Sequence, residues 1–116
     1  SIVYYNEGAT GIHLAYVIER LGIAEEIKPK WKNGAGKTGE MLAKGEVEIG
    51  AQQIPELMAV PGIDIVGPLP GDLQNITTFT VGLDANAKDA EAAKALIKFL
   101  SGPDAAPVYK AKGLAG

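Results

Sequence analysis

The chain alternates strand-like runs with helix-like segments, and this alternation is the feature that most constrains its fold. The first run, residues 1–5 (SIVYY), is apolar, β-branched and aromatic, which is typical of a buried strand. After the loop NEGATG, Thr10 can cap a helix over residues 11–21, and Gly22 suits the left-handed position that ends it. Strands that alternate with helices predict an α/β fold with parallel strand pairs.

The same alternation continues along the rest of the chain. Further strands are predicted at residues 27–31 (IKPKW, at an edge because it contains proline), 47–53 (VEIGAQQ), 63–66 and 76–83 (ITTFTVGL). Further helices are predicted at residues 40–44, 55–58, from the cap Asp89 to a stop at Gly102, and 104–110. Together these elements predict a three-layer-like open sheet with helices on both faces, in one domain of 116 residues.

Two of the predicted helices carry an apolar stripe that should face the core. In the helix over residues 11–21 the stripe consists of Ile12, Ala15, Ile18 and Leu21. In the helix capped by Asp89 it consists of Ala93, Leu96, Ile97 and Leu100.

Residues 32–41 (KNGAGKTGEM) raise the question of a nucleotide site. They contain Gly36, Lys37 and Thr38, which spell the last three letters of a phosphate-binding P-loop. The complete motif needs a glycine five residues before Gly36, but that position is Trp31. The next predicted strand leads into glutamines, not into an acidic residue that could hold magnesium. The sequence therefore argues against a nucleotide.

The same loop still favours a small anion. Two predicted helix starts follow glycine-containing loops, and each leaves free backbone N–H groups next to the positive end of a helix. Paired glutamines end a third strand, and ligands of open α/β sheets bind beyond such strand ends. These features predict an anion site made of Thr10, Gly11, Lys37, Thr38, Gln52 and Gln53. The alternative is that the two threonines only cap helices and the glycines only form turns.

Composition gives little support to an enzyme or a nucleic-acid binder. The chain has one histidine, two serines and no cysteine. It therefore has few residues from which a serine-based catalytic site could be built, and none for a thiol nucleophile. His13 is expected to be packed or solvated, not a base or a metal ligand. The net charge of -3 argues against a nucleic-acid partner, which normally meets a basic face. We expect no cofactor and no metal.

The apolar runs and the first residues of the chain were compared with the patterns of membrane-spanning segments and signal peptides. No apolar run approaches the ~20 residues that span a bilayer. The opening SIVYYNEG lacks a signal-peptide pattern and an initiator methionine, which fits a processed product or an excised piece.

Three stretches together resemble the second half of type II periplasmic solute-binding proteins, most closely the molybdate-binding-protein-like branch that serves ABC importers. These stretches are GATGIHLAYVIERLGIAEEIKPK, MLAKGEVEIGAQQIPELMAVPGIDIVGPLPGDLQ and AAKALIKFLSGPDAAPVYKAKGL. They cover nearly all of the chain. The middle one is fairly specific, and the last is shared by many solute-binding proteins.

The resemblance implies a two-lobed protein that holds its ligand in the cleft between lobes, and this chain matches one lobe, the second. It implies non-catalytic binding of a small anion, either a molybdate-like oxyanion or a small organic anion. It also implies a membrane permease of an ABC importer as the partner of the full-length parent, and a periplasmic location.

The resemblance also places the family's contacts on this chain. The backbone N–H groups that hold the oxyanion fall at Thr10 and Gly11, and at Lys37 and Thr38. The family's tyrosine position holds Gln53 here. That departure argues against molybdate or tungstate itself, and leaves a small oxyanion or a small organic anion.

Two other functions stay open at this stage. The lobe architecture is shared with ligand-sensing effector domains of transcription regulators. A fragment with half a cleft could also bind no ligand of its own, because one lobe supplies only half of the contacts. Since a lobe without its neighbour exposes apolar surface, we expect the isolated chain to form a homo-oligomer or a domain-swapped dimer.

Overall fold

The computed structural model describes residues 1–114 and shows a mixed α/β structure with a small open parallel sheet. Its strands are β1 (Ile2–Tyr4), β2 (Trp31–Asn33) and β3 (Ile49–Gly50), in the order β2-β1-β3. Both neighbours run parallel to β1, and Ile2 lies opposite Trp31 on one side and Ile49 on the other. The predicted α/β class with parallel pairs is confirmed.

Six helices and two 3-10 turns accompany the sheet within residues 1–114. The helices are α1 (Ala9–Arg20), α2 (Ala24–Ile27), α3 (Thr38–Ala43), α4 (Ile54–Met58), α5 (Ala90–Leu100) and α6 (Ala106–Ala111). The 3-10 turns are Lys28–Lys30 and Gly71–Leu73. Among the helices of this part of the chain, none is long and apolar enough to cross a membrane.

The chain divides into two compact units. The first, Ser1–Ile76, contains the sheet and helices α1 to α4, and the second begins at Thr77 and contains α5 and α6. The interpretation of the whole chain as one lobe stays a prediction.

The buried residues of the first unit lie mainly in β1, α1 and the start of α3. Val3, in the central strand, is fully buried, and α1 buries Gly11, Leu14, Val17 and Ile18. The predicted apolar stripe of this helix was therefore wrong except at Ile18. The reason lies at Gly11, because its lack of a side chain lets that face of α1 approach the preceding loop closely.

The Pro-containing strand predicted at residues 27–31 was also wrong for most of its length. The segment forms the end of α2 and a 3-10 turn, and β2 begins only at Trp31. Pro29 lies in the first residues of that turn, where its missing N–H removes no helical bond. Acidic residues in the first turn of α2 further favour a helix.

The strands predicted at residues 63–66 and 76–83 do not form among the described residues. The second of these segments is well exposed, with Ile76 80% and Phe79 66% accessible. Strand preference mostly reflects packing against neighbouring strands, and these segments have no strand beside them in the structure described. Their β-branched composition was therefore not sufficient to form strands.

The structure of the second unit agrees more closely with the predictions made from the sequence. Asp89 caps α5 as predicted, because its Oδ1 accepts a hydrogen bond from the Ala92 N–H at 3.0 Å. The Tyr109 hydroxyl of α6 donates to the Leu100 carbonyl at 2.7 Å, which fastens the end of α5 to α6. Of the predicted apolar stripe, three members are half-buried, but Leu96 is exposed.

Candidate functional site

The loops that follow the three strands meet at one edge of the sheet. Because the strands are parallel, the loops leading to α1, α3 and α4 all leave from carboxyl ends. Two backbone bonds tie these loops to β1, from Gly34 N–H to the Tyr4 carbonyl (3.1 Å) and from Ala51 N–H to the Val3 carbonyl (3.1 Å). The common edge expected from the sequence is thus present.

Thr10 does not cap α1, which corrects the sequence interpretation. The helix begins at Ala9 with Gly8 as its N-cap, and no side chain caps it. Thr10 therefore lies inside the first turn, where its hydroxyl is free for another partner. It donates to Oε1 of Gln52 at 3.1 Å, which links the start of α1 to the loop after β3.

Gln52 also holds its neighbour in place. Its Oε1 accepts a second hydrogen bond from the backbone N–H of Gln53 at 2.9 Å. Gln53 in turn is the N-cap of α4, and its carbonyl accepts from the N–H of Glu56 at 3.1 Å. The structure thus brings Thr10 and both glutamines together.

Gly11 is buried at the point where α1 passes the preceding loop. A Cβ atom at this position would lie 1.9 Å from the Tyr5 carbonyl oxygen, so only glycine fits without a backbone shift. The first helical bond of α1 is donated by Ile12 to the Gly8 carbonyl. The N–H groups of Ala9, Thr10 and Gly11 therefore precede the hydrogen-bonded turn.

The loop between β2 and α3 is tightly turned. Asn33 Oδ1 accepts from the Ala35 N–H at 3.2 Å, and Lys37 N–H donates to the Gly34 carbonyl at 2.7 Å. Ala35 and Gly36 both have left-handed backbones, with φ of 44° and 83°. A left-handed alanine is strained by about 1–2 kcal/mol, and such strain is commonly found at ligand-binding loops.

Thr38 does not cap α3 either. Lys37 is the N-cap, no side chain caps the helix, and Thr38 is the first helical residue. Its side chain turns inward, where a Cβ on Gly34 or on Gly50 would contact it closely. Thr38 is only 1% exposed, and its hydroxyl has no hydrogen-bond partner among the described residues.

A shallow pocket of about 50 Å³ lies at the start of α3. It is lined by Gly36, Lys37, Thr38, Gly39, Glu40, Gln52, Glu56 and Val60. Three of the six predicted site residues, Lys37, Thr38 and Gln52, therefore line the pocket. Thr10 and Gln53 do not line it, but both are hydrogen-bonded to Gln52. Gly11 lies outside it.

Two carboxylates in the pocket wall were missed by sequence reasoning. Glu40 lies in the first turn of α3 and Glu56 in the first turn of α4, and both are exposed. The residues that line the pocket thus include one lysine and two glutamates. Their position in the sequence could have indicated them, because each glutamate lies a few residues after a predicted strand end.

His13 lies away from this pocket and is used in a structural contact. Its Nε2 lies 2.6 Å from the Leu73 carbonyl oxygen. Nearby, Arg20 donates to Asp72 at 2.5 Å, so two side chains of α1 hold the turn Gly71–Leu73. The hydrogen bond and positive charge of Arg20 lower the pKa of Asp72 from its ordinary value.

The described residues contain no group of three or more His, Cys, Asp or Glu side chains that could hold a metal ion.

Comparison with known proteins adds two findings. A family model described as "Bacterial extracellular solute-binding protein" matches residues 1–115. A curated relative, aconitate isomerase from Pseudomonas sp., is 35% identical over 114 residues, which is 97% of this chain and 44% of that protein. The chain therefore spans less than half of the length of that relative. No solved structure matches it.

Proposed function

The chain belongs to the family of bacterial extracellular solute-binding proteins, and we propose that it binds a small anion without chemical conversion, as part of a transport receptor. The proposal rests chiefly on the pocket in which Lys37, Gln52 and the start of α3 meet. In the full-length parent the partner is a membrane permease of an ABC importer, and the location is periplasmic. We propose no nucleic-acid partner.

The chemistry of the pocket supports the binding of a small anion. Lys37 supplies a cation, and the first N–H groups of α3 carry no helical partner, because Met41 donates the first helical bond to the Lys37 carbonyl. Glu40 and Glu56 oppose a ligand of high negative charge. The affinity for an anion therefore depends on Lys37 and on these N–H groups, which must outweigh the repulsion from the two carboxylates.

The pocket's size supports the role of one lobe in a shared cleft. At about 50 Å³ it is far smaller than the roughly 300–1,000 Å³ of typical ligand sites. A second surface, supplied by chain outside these residues, would complete it. The relative named aconitate isomerase favours an organic anion over a molybdate-like oxyanion, because aconitate is a carboxylate.

Calorimetric titration with sulfate, phosphate, molybdate, tungstate and trans-aconitate tests the proposal. At least one should bind saturably, and Lys37→Ala should weaken that binding about tenfold or more, because a charge-assisted hydrogen bond is lost. Lys44→Ala is the matched control, since Lys44 lies at the other end of α3, outside the pocket lining. If no anion binds, or if both variants lose affinity equally, the proposal is wrong.

A second candidate function is isomerisation of a small organic anion, which the name of the curated relative favours. Either carboxylate of the pocket, Glu40 or Glu56, is chemically able to accept a proton from a bound acid. The test is to incubate the chain with trans-aconitate and follow the vinyl proton by NMR. Conversion to the cis isomer faster than in buffer, and its loss in Glu40→Gln or Glu56→Gln, would replace the non-catalytic proposal.

We also propose that the isolated chain associates with itself. In the second unit Leu96 and Phe99 of α5 are 57% and 56% exposed. Large apolar side chains exposed together are a common basis for association.

A further inference from the structure

The side chain of Gln52 is fixed in orientation by the loops around it. It is half-buried in the pocket wall, and its Oε1 accepts from both the Thr10 hydroxyl (3.1 Å) and the Gln53 backbone N–H (2.9 Å). These two donors come from α1 and from the start of α4. Two elements of the fold therefore hold one end of this carboxamide.

The chemistry of the donors decides which end is held. A backbone N–H can only donate, so the Gln52 atom that faces Gln53 must be the oxygen. The flipped amide would point an NH₂ group at that N–H and leave the backbone donor unpaired. The opposite end, Nε2, donates to none of the described residues, and Gln52 is one of the residues that line the pocket.

We infer that Gln52 determines the specificity of this pocket by presenting two N–H donors and no acceptor. The inference rests on the proposed function and deepens it. The ligand class is a small anion with an acceptor oxygen, such as a carboxylate or oxo oxygen, that meets Gln52 and Lys37 together. A ligand that offers an ammonium or amide N–H at this point is rejected, because two donors would face each other. Thr10 acts as a positioning residue.

Gln52→Glu is the sharpest variant because it keeps the shape of the side chain. A carboxylate still accepts from Thr10 and from Gln53, so the loops remain held, but the free end becomes an acceptor with negative charge. Affinity for trans-aconitate and for sulfate, measured by calorimetry, should fall about tenfold or more. Thr10→Val, which removes one of the two holding bonds, should weaken binding by a smaller factor.

Gln74→Glu is the matched control. It adds the same charge in the same unit, at an exposed residue outside the pocket lining, and should leave affinity nearly unchanged. Thermal unfolding of all three variants checks that each is folded.

A second measurement reads the donors directly. In the ¹³C,¹⁵N-labelled wild-type chain, the side-chain NH₂ resonances of Gln52, assigned by triple-resonance experiments, should shift downfield on saturation with trans-aconitate or sulfate. The Gln74 resonances should not shift. This signal does not depend on whether a variant is stable.

The outcomes distinguish failure of the proposed anion binding from failure of the proposed role of Gln52. If neither probe binds the wild-type chain, the proposed function fails and the inference falls with it. If a probe binds but Gln52→Glu binds equally well, or the Gln52 NH₂ resonances stay fixed, anion binding stands and the role of Gln52 is overturned.

Discussion

Gly11 lies where α1 passes closest to the backbone of the preceding loop. The neighbouring atoms are main-chain atoms of Tyr5 and Asn6, so the contact cannot be relieved by a change of side-chain rotamer. Leu14 and Ile18 are buried on the same helix as Gly11. One residue without a side chain thereby lets the helix that carries Thr10 pass close to the preceding loop.

Gly11→Ala should destabilise the chain by about 1–3 kcal/mol, because an added methyl group in a filled space forces a backbone shift. Gly82→Ala is the control, since a Cβ there meets no atom within 4 Å. The measurement is the urea midpoint of unfolding followed by circular dichroism. Equal midpoints for the two variants would contradict the close approach.

Removing the two carboxylates of the pocket should strengthen anion binding. Glu40→Gln and Glu56→Gln each take one negative charge away from the neighbourhood of Lys37, and both sites are exposed. Exposed charge pairs are weak, so we expect a gain of about two- to fivefold at low salt that shrinks as salt is added. Glu46→Gln, exposed and outside the pocket lining, is the control. Weaker binding in the pocket variants would show that the carboxylates contact the ligand favourably.

At the scale of elements, α1 and the turn Gly71–Leu73 are joined by two side-chain contacts. Arg20 pairs with Asp72, and His13 contacts the Leu73 carbonyl oxygen. The loop between α4 and this turn has no regular structure. These contacts therefore fix the position of the turn Gly71–Leu73, at the end of the irregular segment, against α1.

The pair of Arg20 and Asp72 predicts a pH dependence with a definite sign. Because the pKa of Asp72 is lowered in the folded chain, its contribution to stability is present above its unfolded pKa of about 3.9. That contribution is lost as the pH falls from there through the lower folded value. The difference in unfolding temperature between wild type and Asp72→Asn should therefore shrink below about pH 4. Asp64→Asn, at an exposed residue, should show no such difference.

The elements differ in how far the sequence alone determines them. The start of α5 was predicted correctly because the contact of Asp89 with Ala92 is local. The buried face of α1 was not, because it depends on Gly11 meeting residues of another loop. The segment 76–83 has strand composition, but a strand also needs a partner, which composition does not supply.

The site shows the same division. Parallel strands place Thr10, Lys37 and Gln52 at one edge, which the alternation of elements was enough to predict. Which atoms meet there could not be predicted. Thr10 bonds Gln52 instead of capping α1, because the helix begins two residues earlier than its sequence suggests.

At the scale of the whole molecule, the exposed apolar side chains predict self-association. Light scattering over a broad concentration range should show the mass rise toward that of a dimer. Leu96→Gln should shift this rise to higher concentration, whereas Lys94→Gln on the same helix should not. A monomeric mass at every concentration would contradict the proposal.

The order of the strands in the sheet bears on how the chain folds as it is made. The central strand, β1, is also the first in the chain, and β2 and β3 flank it from far downstream. Contacts between distant parts of a chain form slowly, because a long loop must close first. Val3 therefore gains its second strand neighbour, Gly50, only after residue 50 has left the ribosome. Before that point β2 is the only one of these two strands that can pair with β1, and β3 completes the sheet of the first unit.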